Sequence, residues 1–267
     1  MFLAMEKTAK RIISWRIEMD TQRIQFLNTY LDNLTAQEAK SCVDQLIQTP
    51  GYHYVVTPNS DIVVKMQDDS KLLEACNAAD LILTDGQIVV KLSKILGTPI
   101  KERVAMTDFV WDVMDLADEK GYKVFLFGGK EDVLEKATAK IRNKYPNLDL
   151  VDSYSPPFGF EKNEEQLHEC NVRIRNSRAD ILIVFLGCPK QEKYIFKNKD
   201  KYQVPISITM GGCVDFIAGE VKRAPQWMQD MGLEWFFRFI QEPKRMFRRY
   251  FIDDIRIFGL VRKYKKG

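Results

Sequence analysis

The feature that most constrains this chain is a set of short apolar runs that do not alternate. Asp80–Leu83, Lys123–Phe127, Leu148–Val151, Ile181–Phe185 and Ile206–Thr209 are rich in Val, Ile, Leu and Phe at consecutive positions. A strand with one face in water alternates apolar and polar residues, whereas a strand buried on both faces does not. These runs therefore predict a sheet covered on both sides. Two further strand candidates, Arg23–Tyr30 and Tyr52–Thr57, precede them. Stretches of helical periodicity lie between: Thr35–Gln48, Asp61–Gln67, Gly86–Leu96, Thr107–Lys120, Asp132–Tyr145, Glu164–Asn176 and Gln191–Lys199. The first opens on Thr35 with Glu38 three residues on, the signature of a capping box. The βαβα rhythm predicts an α/β fold: an open, mostly parallel, Rossmann-like sheet with helices on both faces.

The rhythm stops after Ala218. Residues 218–267 hold 12 Lys and Arg against 6 Asp and Glu, interleaved with ten aromatics, and Pro225 and Pro243 divide them into short helical pieces. The rest of the chain carries 28 basic and 31 acidic residues, so a mildly acidic body bears a basic, aromatic, helical appendage. The expected organisation is an N-terminal extension at 1–22, an α/β catalytic domain at 23–217 and a membrane-associating appendage at 218–267. No apolar run is long enough to span a bilayer. The first fifteen residues lack the apolar block and cleavage site of a signal peptide, so a cytoplasmic location is expected. Five scattered cysteines with no CxxC spacing suggest neither a zinc site nor a disulfide framework.

In an open α/β sheet, ligands bind beyond the carboxyl ends of the strands. Polar or glycine-rich turns follow five of the candidate strands: Thr57-Pro58-Asn59, Thr84-Asp85-Gly86, Gly128-Gly129, Gly187-Cys188-Pro189-Lys190-Gln191-Glu192, and Gly211-Gly212 with Asp215. Each alone has a plain structural reading. Thr57 and Asn59 suit helix caps, Asp85-Gly86 a turn, and Gly128-Gly129 a tight strand–helix connection. Together they outline one composite cleft. No GxGxxG follows a strand and no GxxxxGK[ST] occurs, so neither a dinucleotide fingerprint nor a P-loop is present. Asp-x-Asp, a common metal-holding pair, is also missing. The two histidines, His53 and His168, are expected at a strand start and on a helix face, neither as a metal ligand.

Along the chain these turns are joined by Glu102-Arg103-Val104, between Gly86 and Gly128, and after Asp215 by Gly219, Arg223-Ala224-Pro225, Glu234-Trp235-Phe236-Phe237-Arg238, Glu242-Pro243 and Arg245. This ordered set resembles the WecG/TagA/CpsF glycosyltransferase family, whose members build wall teichoic acid linkage units, enterobacterial common antigen and capsular or exopolysaccharides. The likeness runs from about Arg23 to Arg249. It implies inverting transfer from a UDP-sugar to a polyprenyl-diphosphate-linked sugar, β-1,4 by default, with no metal and no other cofactor. UDP-N-acetylmannosamine, its uronic acid or a UDP-hexose is the implied donor. Asp85 matches the family's catalytic aspartate and is the expected general base. Thr57 and Asn59 match positions near it, and Arg103 is expected to face the diphosphate or the acceptor, its plain reading being an ion pair. Gln191 matches a donor-site position, and Asp215 is expected to accept from uridine. Gly128, Gly129, Gly187, Gly211 and Gly212 would let backbone approach the phosphates. Phe158 or Phe160 is a candidate to stack on uracil. Arg238, Arg245 and Arg248 match tail positions expected to meet the acceptor diphosphate at the membrane surface. One departure stands out. Where the family carries RVxGxDF, this chain reads Arg103-Val104-Ala105-Met106-Thr107-Asp108-Phe109, with Met106 in the glycine's place.

Two rival readings come from other classes. A basic, aromatic tail is also a composition that binds single-stranded nucleic acid, although the acidic body argues against that and no nucleic-acid partner is expected. The other rival is a non-catalytic membrane scaffold. The apolar tail is equally compatible with burial in a second copy, a homo-oligomer.

Overall fold

The computed structural model describes residues 22–231, 233–248 and 254–265, with the backbone alone at Asp230, Arg245 and Arg248. The expected N-terminal extension therefore lies outside the described residues, save Gln22. The sheet is six-stranded, wholly parallel, and ordered β4-β3-β8-β7-β5-β6. Its strands are β3 (His53–Val56), β4 (Leu81–Ile82), β5 (Val124–Gly128), β6 (Leu150–Tyr154), β7 (Ile181–Phe185) and β8 (Ile206–Thr209). A separate antiparallel hairpin, β1 (Arg23–Phe26) and β2 (Thr29–Asp32), precedes it.

The apolar runs lack alternation because both sheet faces are buried. Val55, Leu126, Ile181, Ile183, Phe185, Ile206 and Ile208 enter one core. Tyr54, Val56, Phe125, Phe127, Leu182 and Val184, their neighbours along the same strands, enter the other. The first core is covered by α1 (Ala36–Gln48), α5 (Met106–Lys120), α6 (Glu131–Lys144) and α9 (Cys213–Ala218). The second is covered by α2 (Ser60–Asp68), α3 (Ser70–Asn77), α4 (Gln87–Ile95), α7 (Glu164–Ser177) and α8 (Lys190–Tyr202). Short helices follow: α10 (Gln226–Asp230), α11 (Glu234–Gln241), α12 (Pro243–Arg248) and α13 (Arg256–Lys265). The capping box forms as expected, Thr35 and Glu38 each accepting from the other's backbone N–H.

Several expectations are corrected. Arg23–Tyr30 is not one strand, because the chain turns at Leu27-Asn28, with Leu27 at φ 54°. The run Leu148–Val151 forms a strand two residues later, at the sheet's edge, where only Leu150 is buried. Helix α3 lies where no helix was expected. It starts anew because Asp69 ends α2 and accepts from the Leu72 N–H.

The hairpin and the tail both pack on the body. Asp32 pairs with Arg23 and accepts from the Ile82 N–H at 2.7 Å, while Arg23 donates to the Ala79 and Asp80 carbonyls. Ile257 and Val261 of α13 are buried in the second core, and the Ser60 hydroxyl donates to Asp254 at 2.8 Å. His53 begins β3 and faces the Asp80 carboxylate, which also accepts from the Tyr54 N–H, so its role is to tie strands. His168 lies on α7, away from His53's strand.

Candidate active site

Helices α2 and α9 leave the neighbouring strands β3 and β8 toward opposite faces of the sheet. That divergence opens a crevice at the carboxyl ends of the strands, where ligands of such folds sit. A cleft of about 480 Å³ occupies it. At its floor the Thr57 hydroxyl crosses from β3 to donate to the Thr209 carbonyl of β8 at 3.0 Å.

Asp85 stands three residues past the end of β4. The following Gly86 lets two turns touch: a Cβ there would lie 3.2 Å from the Asn59 Cα. Asn59 itself caps α2, its side-chain oxygen accepting from the Ile62 N–H. The Asp85 carboxylate accepts from the backbone N–H of Met106, the first residue of α5, at 3.2 Å. It thus sits at a helix N-terminus, where negative charge is favoured. The Arg103 guanidinium donates from Nε to the Asp85 carbonyl at 2.8 Å and places Nη2 3.6 Å from its carboxylate. Burial pushes the Asp85 carboxyl up, and Glu234 adds to this. Arg103, the Met106 N–H and Arg238 oppose the rise without cancelling it.

Gln191 joins two glycine turns. Its Oε1 accepts from the Gly187 N–H at 3.2 Å and the Gly211 N–H at 3.1 Å, while its Nε2 donates to Glu192 at 2.9 Å. Those two amides are thereby held by Gln191 instead of facing the cleft freely. Glu192 is fully buried, and burial drives its carboxyl upward.

The remaining wall comes from the tail. Glu234, Trp235 and Arg238 of α11 line the cleft with Phe216 of α9. The Arg238 guanidinium lies over the Phe216 ring, 5.1 Å from its centroid. Its buried Nε has no hydrogen-bond partner among the described residues. Glu234 accepts from Arg103 Nη1 at 2.7 Å and lies 3.8 Å from Arg223, which forks onto Asp108. Asp108, Arg223, Glu234, Arg103 and Asp85 form a chain of alternating charge.

The structure thus brings Thr57, Asn59, Asp85, Arg103, Gly187, Gln191, Gly211, Gly212 and Arg238 into one cleft. Gly128, Gly129 and Asp215 are not among its lining residues. Gly128 closes β5 against Phe185 and Leu186, Gly129 faces Val214, and Asp215 lies on α9 two residues after the lining Cys213. Phe160 is core, packed edge-on to Phe127 and Tyr194, and Phe158 is fully exposed beneath the Lys190 ammonium. Arg245 and Arg248 fall on α12, and their side chains lie outside the described residues. Glu234 and Trp235 carry no expected site role, although both belong to the Glu234-Trp235-Phe236-Phe237-Arg238 stretch that supports the resemblance; that stretch is the signal that could have found them. Met106, in the place of the family glycine, lines the cleft and is buried. Among the described residues no three His, Cys, Asp or Glu side chains are grouped as ligands of a metal ion.

The model of the WecG/TagA/CpsF glycosyl transferase family matches residues 24–267. The chain belongs to this family. Two Bacillus members are similar to it. The one from Bacillus subtilis strain 168 is 31% identical over 83% of both chains. The one from Bacillus spizizenii W23 is 30% identical over 85% of this chain and 86% of its own. A Staphylococcus aureus MW2 member is 28% identical over 93% of this chain and 97% of its own. All three are named N-acetylglucosaminyldiphosphoundecaprenol N-acetyl-β-D-mannosaminyltransferase. Like other members of the WecG/TagA/CpsF family, the chain is a glycosyltransferase. No described helix is long and apolar enough to cross a membrane.

Proposed function

We propose that this glycosyltransferase moves N-acetylmannosamine, with inversion and without a metal, from its UDP donor to a polyprenyl-diphosphate-linked N-acetylglucosamine, forming a β-1,4 bond. The observation that carries the reading is the presence in one cleft of the Asp85 carboxylate, held by the Met106 N–H, and of Arg238, whose Nε has no hydrogen-bond partner among the described residues. The acceptor hydroxyl oxygen attacks the anomeric carbon as the bond to UDP breaks. Asp85 takes the hydroxyl proton, a task suited to a carboxylate made more basic by burial. Arg238, expected from the sequence at the acceptor diphosphate, shares the cleft with Asp85 and is assigned instead to the charge growing on the leaving diphosphate, where such a contact is worth more than in water. The names of the three relatives support the choice of sugar and acceptor.

The same reading places the enzyme peripherally at the inner face of the cell membrane. Trp227, Phe236, Ile240, Phe247 and Phe258 are exposed along the tail, among its basic residues. Such a face lies at a lipid interface, and each basic residue near an anionic surface contributes about 1 kcal/mol. A panel of UDP-sugars incubated with a short-chain lipid-diphosphate N-acetylglucosamine tests the assignment. UDP release is expected with UDP-N-acetylmannosamine alone, unchanged by EDTA and lost in Asp85→Asn. Release with another donor reassigns the sugar, and acceptor-independent release sinks the transfer reading. Truncation after Ala218 tests the tail's part: full-rate transfer to a lipid acceptor would exclude it.

A further inference from the structure

Arg103 is spent on the protein. Its Nε holds the Asp85 carbonyl, its Nη1 holds Glu234, and its Nη2 rests beside the Asp85 carboxylate. In that arrangement each guanidinium nitrogen lies beside a protein carbonyl or carboxylate, while the side chain still lines the cleft. Glu234 is what keeps it so. The Glu234 side chain is 11% exposed, it is the first residue of α11, and its second oxygen looks toward Arg223, itself forked onto Asp108 at the start of α5. A carboxylate on a helix first turn is favoured there by the helix dipole. Arg103 and Glu234 are 131 residues apart, so this contact joins the tail to the body beside the base.

We propose that Glu234 is a positioning residue: through it, α11 clamps Arg103 against Asp85, so that the base is set in place by the docked tail. The proposal deepens the reading of Asp85 as general base and rests on it. The groups facing Asp85 are Arg103 from the loop before α5, the Met106 N–H at the start of α5, Glu234 and Arg238 from α11, and the Cys213 thiol of α9. Of these charged groups Glu234 alone is negative, and its charge favours the protonated form of Asp85. Removing that charge while keeping the hydrogen bond lowers the Asp85 midpoint. Removing the whole side chain frees Arg103 and unsettles the base.

The test compares wild type, Glu234→Gln and Glu234→Ala in the full chain. The Asp85 carboxyl is titrated directly by ¹³C NMR, with Asp85→Asn to assign its resonance, and this readout needs no substrate. In Glu234→Gln, which is isosteric, the midpoint is expected to fall by about half a pH unit. In Glu234→Ala, kcat is expected to fall about tenfold, with KM for donor and acceptor within about twofold, and Glu234→Gln recovers most of the loss. A midpoint unchanged in Glu234→Gln overturns the proposal. So does a Glu234→Ala variant with wild-type kcat, or one whose loss lies wholly in KM. A wild-type enzyme that transfers nothing defeats the assigned reaction instead, while the NMR midpoints still decide what Glu234 does.

Discussion

Replacing Gln191 separates hydrogen bonding from packing at the centre of the cleft. The side chain is buried, and its amide makes three hydrogen bonds: two from the Gly187 and Gly211 N–H groups and one to Glu192. Each such bond contributes about 1 kcal/mol net. Gln191→Met keeps the volume and loses all three, so it should cost about 3 kcal/mol. For a chain of this size that is a drop in Tm of about 6–12 °C. Gln191→Ala adds a cavity and should fall further, by about 1–2 kcal/mol more. Freed from Gln191, the two glycine turns lose their fixed spacing, so UDP affinity should fall along with stability. Differential scanning fluorimetry reads the first effect, and calorimetric titration with UDP the second. If Gln191→Met melts within about 2 °C of wild type, well inside the drop expected from the lost bonds, the hydrogen bonds hold nothing together. The account of Gln191 as the link between the two turns is then wrong.

Other consequences follow from the same geometry. Gly128→Ala puts a Cβ 2.9 Å from the Phe185 backbone at φ +102°, so it should cost about 2–5 kcal/mol, read by urea unfolding. Arg238→Ala should weaken UDP binding about tenfold or more, measured by the same titration, since charge-assisted bonds are worth about 1.5–3 kcal/mol. Glu192 is an acid whose folded pKa lies above its ordinary value of 4.5 because of burial. Its favourable contribution is therefore complete below that value and is lost as pH rises toward the folded pKa. The stability of Glu192→Gln relative to wild type should thus climb from pH 4.5 upward, and chemical denaturation over a pH series would show it. A flat difference would mean that the carboxyl is ionised in the fold.

The sheet was legible because burial on both faces removes alternation, and β5, β7 and β8 stand within a residue of the runs that announced them. Where burial was incomplete, the signal weakened. Strand β6 is an edge, so its polar residues Asp152 and Ser153 hid its second half. The hairpin was missed because its turn, Leu27-Asn28, carries no glycine or proline, and Leu27 adopts a positive φ that its type seldom takes. Within the cleft, Thr57, Asn59, Asp85, Gln191 and Gly211 could be picked out because parallel strands deliver their carboxyl ends to one side. Gly128 and Gly129 stand at a strand end too, but they lie outside the cleft lining, packed against Phe185 and Val214. Glu234 could not be found that way. Its partner is remote in sequence, and an acid among basic residues reads as a solvated surface until the tail's path is known.

The hairpin has a further consequence, for how the molecule behaves in a crowd. β4 is an edge of the sheet and only two residues long. A free edge offers unpaired N–H and C=O groups to any passing strand. Here the Ile82 N–H is taken by Asp32, and the Ala79 and Asp80 carbonyls by Arg23. A side-chain ion pair stands where a seventh strand would add. That makes the β1–β2 hairpin a stopper against polymerisation. Loss of Asp32 should therefore show itself as fibres or soluble aggregates before any change in catalysis.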